Sequence, residues 1–185
     1  EYDKASNIIK AHFPYFNGDL KLVYNIMGNK LLLNNYAEAN GFDPKDLGMR
    51  AARLTQSIAK RKSILANSIV KKKACYELSQ YFNNNERKII VFSQTKKFIN
   101  ELKKDIPGSL IYHSDLKDSD KENVLKKVIS NECKTLLTVK SLNEGLDIPS
   151  LNTGICAAYT SVERDLIQQS GRIGRFEEGK LAIYV

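Results

Sequence analysis

Ile89-Ile90-Val91-Phe92-Ser93-Gln94-Thr95 is the stretch that decides the fold. Four apolar residues in succession are too few for a helix. Apolar on both faces of an extended chain, they need cover on both sides, as a strand inside a parallel sheet has. The chain then turns polar at Ser93-Gln94-Thr95, and Phe98, Leu102 and Ile106 follow at helical spacing. A doubly buried strand feeding an amphipathic helix is the first half of a βαβ unit.

The same rhythm continues towards the C-terminus. Leu110-Ile111-Tyr112, Leu136-Leu137-Thr138-Val139, Ile155-Cys156-Ala157-Ala158 and Ala182-Ile183-Tyr184-Val185 are further short apolar runs, and Leu125, Val128 and Ile129 mark a helix between two of them. Ser119 with Glu122 and Thr160 with Glu163 have capping-box spacing and predict two helix starts. The expected fold class is α/β, a three-layer domain with a mostly parallel sheet and helices on both faces.

Towards the N-terminus the rhythm stops. Leu20, Val23, Tyr24, Met27 and Leu31 recur at helical spacing, as do Leu47, Ala51, Leu54 and Ile58. Turns are expected around Pro14-Tyr15-Phe16-Asn17-Gly18 and Asn40-Gly41-Phe42-Asp43-Pro44. The polar tract Asn83-Asn84-Asn85 is the expected boundary between an all-helical accessory or linker region, residues 1–85, and the α/β region, residues 86–185.

The 185 residues carry a net charge of +8, unevenly placed. From Leu47 to Tyr76 there are eight basic residues and no acid, and the remaining 21 of the 29 basic residues balance the 21 acidic ones. Arg50, Arg53, Lys60 and Arg61 fall on a different helical face from Leu54 and Ile58. They are read as exposed and as candidates for nucleic-acid backbone contact, weighed against an ordinary solvated face. No apolar run is long enough to span a bilayer, so no membrane partner is expected. Cys75, Cys133 and Cys156 form no C-x-x-C pair, and with only His12 and His113 beside them a zinc site is not expected. Reduced, buried thiols fit a cytoplasmic protein.

Two stretches carry candidate chemistry. In Gln168-Gln169-Ser170-Gly171-Arg172-Ile173-Gly174-Arg175, the two arginines three residues apart project similarly from a helical turn. Their planar forks suit a polyphosphate. In Thr138-Val139-Lys140-Ser141-Leu142-Asn143-Glu144-Gly145-Leu146-Asp147-Ile148-Pro149, hydroxyls and a lysine follow a strand, at the edge where open α/β sheets bind ligands. There they can hold a nucleic-acid phosphate. Asp147 reads equally as a loop cap or as a ligand contact. His113 with Asp115 has no nucleophile elbow beside it and reads as a strand-end hydrogen-bonding group. His12 reads as structural, and Tyr2, Tyr15, Phe16 and Tyr24 as core packing rather than base stacking.

Taken together, these residues resemble the second RecA-like lobe of superfamily-2 helicases. Ile89 to Thr95 is similar to motif IV, Tyr112 to Leu116 to motif IVa, Thr138 to Pro149 to motif V, and Gln168 to Arg175 to the Q-x-x-G-R-x-G-R of motif VI. The wording, with Gln opening motif VI, is nearest to bacterial, phage and repair-type DNA helicases and restriction-enzyme translocases. The resemblance implies one lobe of an ATP-dependent helicase or translocase acting on DNA rather than RNA, in a bacterial or phage-infected cell. By that matching, Arg172 and Arg175 are arginine fingers, and Gln168, Gly145 and Asp147 line the nucleotide cleft. Thr138, Ser93 and Thr95 lie towards the nucleic-acid backbone.

ATP and Mg²⁺ are the cofactors implied for the full-length protein, and neither is expected to be needed for folding. A phosphate loop is absent from the chain. Gly174-Arg175-Phe176-Glu177-Glu178-Gly179-Lys180-Leu181 misses the required Ser/Thr and leads into a strand, and there is no D-E-x-x box. The Mg²⁺ ligands and base are therefore expected on a first RecA-like lobe of the same polypeptide, and the isolated chain is expected to be inactive. The rival class is a non-hydrolytic nucleic-acid-binding or scaffold module of the same fold, against which the Arg172/Arg175 pair speaks.

Overall fold

The computed structural model describes residues 1–139, 151–157 and 181–185. The chain divides into two compact units, Glu1–Leu65 and Ala66–Val185.

The first unit is helical: α1 (Tyr2–His12), a 3-10 turn (Phe13–Phe16), α2 (Leu20–Gly28), α3 (Lys30–Ala39) and α4 (Pro44–Ala66), whose last residue enters the second unit. Its breaks are chemically defined. Pro14 opens the 3-10 turn, and Asn17 and Gly18 leave it with φ of 51° and 71°. Asp19 caps α2 by accepting the Lys21 and Leu22 amides at 2.8 and 3.2 Å, and Asn29 caps α3 through the Leu32 amide at 3.1 Å. Phe16, Val23, Ile26, Ala37, Leu47, Ala51 and Leu54 are the buried centre. The α4 stripe read from the sequence is thus the core face. The stripe read over Leu20 to Leu31 is shifted and broken: in α2 Val23 and Ile26 are buried whereas Tyr24 and Met27 are 52% and 50% exposed, and Leu31, 68% exposed, lies beyond the Asn29 cap on α3. Apolar spacing marked the helix but not which of two neighbouring rows faces inward.

The second unit begins with α5 (Ile69–Asn84) and continues through β1 (Ile89–Ser93), α6 (Lys96–Asp105), β2 (Leu110–Tyr112), α7 (Asp118–Ile129), β3 (Thr135–Val139), β4 (Thr153–Cys156) and β5 (Ile183–Tyr184). The strands run in the order β2-β3-β1-β4-β5, with every pairing parallel. β1 is buried at all five positions, as its two-sided apolar run requires. Alternate residues go to opposite faces: Ile89, Val91, Leu137 and Ile155 pack with Cys75 and Phe82 of α5 and Phe98, Ile99 and Leu102 of α6. Ile90, Phe92 and Leu136 pack with Val128 of α7, Cys133 and Leu151. Each such side chain contributes about 1.5–3 kcal/mol by leaving water.

Packing divides the chain at Leu65, whereas helical content ends near residue 85, because α5 uses Cys75 and Phe82 to cover the sheet. Ser119 does not cap α7. That helix starts at Asp118 with Lys117 in the cap position and no side-chain cap bond. Asp118 and Asp120 in its first turn suit the positive end of the helix instead. Thr160 and Glu163 lie outside the described residues.

Polar side chains fasten the sheet at its N-terminal edge. Arg87 Nε donates to Thr153 Oγ1 at 2.7 Å, and its Nη2 to the Asn152 carbonyl at 3.2 Å and to the Leu181 carbonyl. Asn152 Oδ1 accepts the Lys88 amide at 3.0 Å, and Asn83 Nδ2 donates to Thr135 Oγ1 at 3.1 Å. Ser93 and Thr138 belong to the opposite, C-terminal edge.

Candidate functional site

Register places the candidate residues along that C-terminal edge. Ser93 pairs with Val139, Phe92 with Thr138, and Tyr112 with Thr138. The ends of β1, β3 and β2 are therefore level, and the turns after β1 and β2 flank the end of β3.

The turn after β1 is held by its own hydroxyls. Ser93 is buried, and its Oγ accepts the Thr95 amide at 3.3 Å. Thr95 is the N-cap of α6: its Oγ1 accepts the Phe98 amide at 3.2 Å and donates to Asn67 Oδ1 at 2.7 Å. Lys96, the first residue of α6, reaches Asp115 beyond β2 and forms an ion pair whose carboxylate also accepts from Ser114 Oγ at 2.9 Å. Those two hydrogen bonds, Lys96 first, hold the Asp115 carboxyl below the usual range. His113 Nδ1 is buried and has no hydrogen-bond partner among the described residues, and the same is true of Thr138 Oγ1. Thr138 is fully buried on β3. Of Ser93, Thr95 and Thr138, only Thr95 is partly accessible; Ser93 and Thr138 are buried behind the surface of the edge. The edge carries a helix N-terminus and a lysine that already holds one carboxylate, that of Asp115.

Sequence reading missed Lys96 and Asn67. Lys96 is legible in hindsight as a cation one residue after a helix cap. Asn67 carries no signal beyond its place in the break between α4 and α5. Gly145, Asp147, Gln168, Arg172 and Arg175 lie outside the described residues.

The basic face of α4 is not as bare as its composition suggests. Arg50 Nε donates to Asp46 Oδ2 at 2.7 Å and its guanidinium lies 4.1 Å from the Tyr15 ring centre. Arg61 sits over Tyr2 at 5.3 Å, and Lys60 is 3.7 Å from a Glu1 carboxylate oxygen. The acids absent from residues 47–76 come from outside that segment. Within the second unit, Glu101 meets Lys72 at 2.9 Å and that hydrogen bond lowers its pKa, while Glu77 lies 3.7 Å from Lys73. Of the four candidates on α4, Arg53 alone makes no ion pair or ring contact among the described residues. Tyr15 is half-buried and serves as the platform for Arg50, Phe16 is fully buried, and Tyr2 and Tyr24 are exposed. His12 titrates below its usual value through burial, with Arg50 and Arg53 adding to the effect.

Cys75 and Cys133 are buried thiols with raised pKa values, Cys75 to about 11, because burial disfavours the thiolate. Among the described residues, no group of three or more His, Cys, Asp or Glu could hold a metal ion, and no helix is long and apolar enough to cross a membrane.

Residues 70–177 match the family model described as helicase conserved C-terminal domain. UvrABC system protein B of Bacillus licheniformis is 32% identical over 117 residues, covering 58% of this chain and 18% of that protein. Its counterpart in Clostridium acetobutylicum is 33% identical over 109 residues, covering 54% and 16%. The chain thus spans less than a fifth of these curated relatives. Among solved structures, a DEAD box protein from the hyperthermophile Methanococcus jannaschii is 25% identical, with a TM-score of 0.53 over 64% of this chain and 32% of that one. Dbp5 of S. cerevisiae bound to RNA and ADP BeF3 is 25% identical, with a TM-score of 0.51 over 62% and 31%.

Proposed function

Since this chain belongs to the helicase conserved C-terminal domain family, we propose that it works as the second RecA-like lobe of an ATP-dependent nucleic-acid helicase or translocase. The observation that carries the reading is the coincidence of the family match with a parallel sheet whose C-terminal edge gathers Ser93, Thr95, Lys96 and Thr138. In this reading the turn at Ser93–Thr95 and the start of α6 take a backbone phosphate. Thr95 contacts it, Lys96 joins by exchanging its Asp115 partner for the phosphate, and Ser93 and Thr138 shape the surface behind.

The wording of the motifs, with Gln168 opening the last, favours DNA over RNA, and the likeness to an RNA-bound structure keeps RNA as the comparison arm of the test. Arg172 and Arg175 are proposed as arginine fingers, with Gln168, Gly145 and Asp147 at the nucleotide. When bound, ATP with Mg²⁺ supplies the phosphoryl transfer that drives motion, and the Mg²⁺ ligands belong to a first lobe. The described residues contain none of these nucleotide contacts, so no further step is assigned to them. Residues 1–85 are proposed as an accessory region whose basic helix, through Arg53 above all, adds a secondary backbone contact. Arg50, Lys60 and Arg61 must first leave Asp46, Glu1 and Tyr2. A cytoplasmic location goes with this reading.

The test is nucleic-acid-stimulated ATP hydrolysis by the full-length protein, with DNA and RNA compared. Arg175→Ala is expected to lower turnover by about 10³–10⁵-fold. Turnover within tenfold of the native protein would remove Arg175 from the finger role. Phosphate release by the present chain alone should stay at background.

A further inference from the structure

Asn67 and Thr95 are 28 residues apart, yet their side chains meet at 2.7 Å. Asn67 belongs to the two-residue connection between α4, which ends at Ala66, and α5, which starts at Ile69. The connection is thereby fastened to the turn at the C-terminal edge of the sheet. A threonine hydroxyl has one proton and two lone pairs. Here the proton goes to Asn67 Oδ1, and a lone pair takes the Phe98 amide. A phosphate has only acceptor oxygens, so it can use the Thr95 hydroxyl only by taking the proton that Asn67 holds.

We propose that Asn67 is a positioning residue that sets whether the Thr95 hydroxyl is available to a nucleic-acid phosphate. Phosphate engagement at the turn thus costs the Thr95–Asn67 bond and loosens the α4–α5 connection at that point, and keeping the bond opposes engagement. This rests on the reading of the turn as a phosphate contact. The coupling is local, because one proton cannot serve two acceptors.

The experiment measures binding of a fluorescein-labelled oligodeoxythymidylate to the full 185-residue chain by anisotropy, for the native protein and for Asn67→Ala, Asn67→Asp and Asn67→Ala/Thr95→Val. Asn67→Ala frees the hydroxyl and is expected to tighten binding by about threefold, the size of one modest hydrogen bond. Asn67→Asp keeps the acceptor and adds a charge that repels phosphate, so it is expected to bind more weakly than the native chain. The gain from Asn67→Ala should vanish when Thr95 is valine. A purely structural role would make alanine and aspartate weaken binding together, and that pattern overturns the inference, as does native affinity in both. If the native chain binds no oligonucleotide, the phosphate-contact reading itself falls and takes the inference with it. Hydrogen exchange gives a second measurement. Amides at the start of α5 should exchange faster in Asn67→Ala without ligand, and in the native chain only when oligonucleotide is added. Unchanged exchange in both overturns the coupling.

Discussion

In the helical unit, each helix buries one row of side chains and leaves the other sides free. α4 puts Leu47, Ala51 and Leu54 inward, and can therefore carry Arg53 and Lys60 outward, with Arg50 and Arg61 half-buried over Tyr15 and Tyr2. In the sheet unit, β1 is buried at every position, so no functional side chain can stand on the strand's faces without entering the core. Candidate contacts there are confined to the strand ends, where Thr95, Lys96 and Asp115 sit. The contrast explains why net charge and candidate chemistry separate in this chain. An amphipathic helix displays charge along its length, while a doubly covered strand displays only its tip.

The largest expected effects test whether the units hold themselves together separately. Phe16→Ala removes the buried ring of the helical unit and should cost about 3–5 kcal/mol, and Leu137→Ala should cost about 2–5 kcal/mol in the sheet. Hydrogen exchange checks both. Each change should raise exchange in its own unit alone, and equal opening of both units by either one would break the comparison.

Arg87→Met comes next. It strips the bonds to Thr153, Asn152 and Leu181 and should destabilise the sheet unit by about 2–3 kcal/mol, read from urea midpoints. Thr95→Val removes the cap of α6 for about 1 kcal/mol, while Thr95→Ser should cost little, because the hydroxyl still accepts the Phe98 amide. A valine as stable as serine would show that the turn does not depend on that hydroxyl.

Smallest is the pH effect at the sheet edge. Asp115 has a folded pKa below its unfolded one, so its stabilisation is present above the ordinary carboxylate range and is lost as pH falls through the depressed value. From about pH 4 downward, Asp115→Asn should flatten the acid limb of the melting curve slightly. An unchanged acid limb would mean that the Lys96 pair contributes nothing.

Four of the five described strands were legible to within one residue because a two-sided apolar run has few other uses; parallel pairing was expected from the alternation of runs and helices, and the strand order was not. The exception in detail is β4. It starts at Thr153, two residues ahead of its apolar run, because Thr153 is paired through Arg87 and needs no apolar cover. Local caps were less legible: Ser119 had the right spacing, but Lys117–Asp118 turned the chain first. Ser93 and Thr95 were found as site candidates through the resemblance to motif IV. Their hydrogen bonds to each other and to Asn67 were not, because a contact across 28 residues leaves no trace in local spacing. The charge run on α4 was visible, but its partners Asp46 and Glu1 lay outside the counted segment.

The strand order has a consequence for synthesis. Of the strands described in this sheet, β1 is made before the others and lies in the middle, flanked by β3 and β4. Its first neighbour, at Thr135 opposite Ile89, is translated 46 residues later. At about 5–20 residues per second the nascent chain must carry Ile89-Ile90-Val91-Phe92 unpaired for roughly 2–9 s. That segment, apolar and uncharged, has the composition that seeds cross-β aggregation. It is bracketed by Arg87-Lys88 on one side and Lys96-Lys97 on the other. Those four cations are gatekeepers during the wait, and afterwards Arg87 becomes the fastening of the finished sheet.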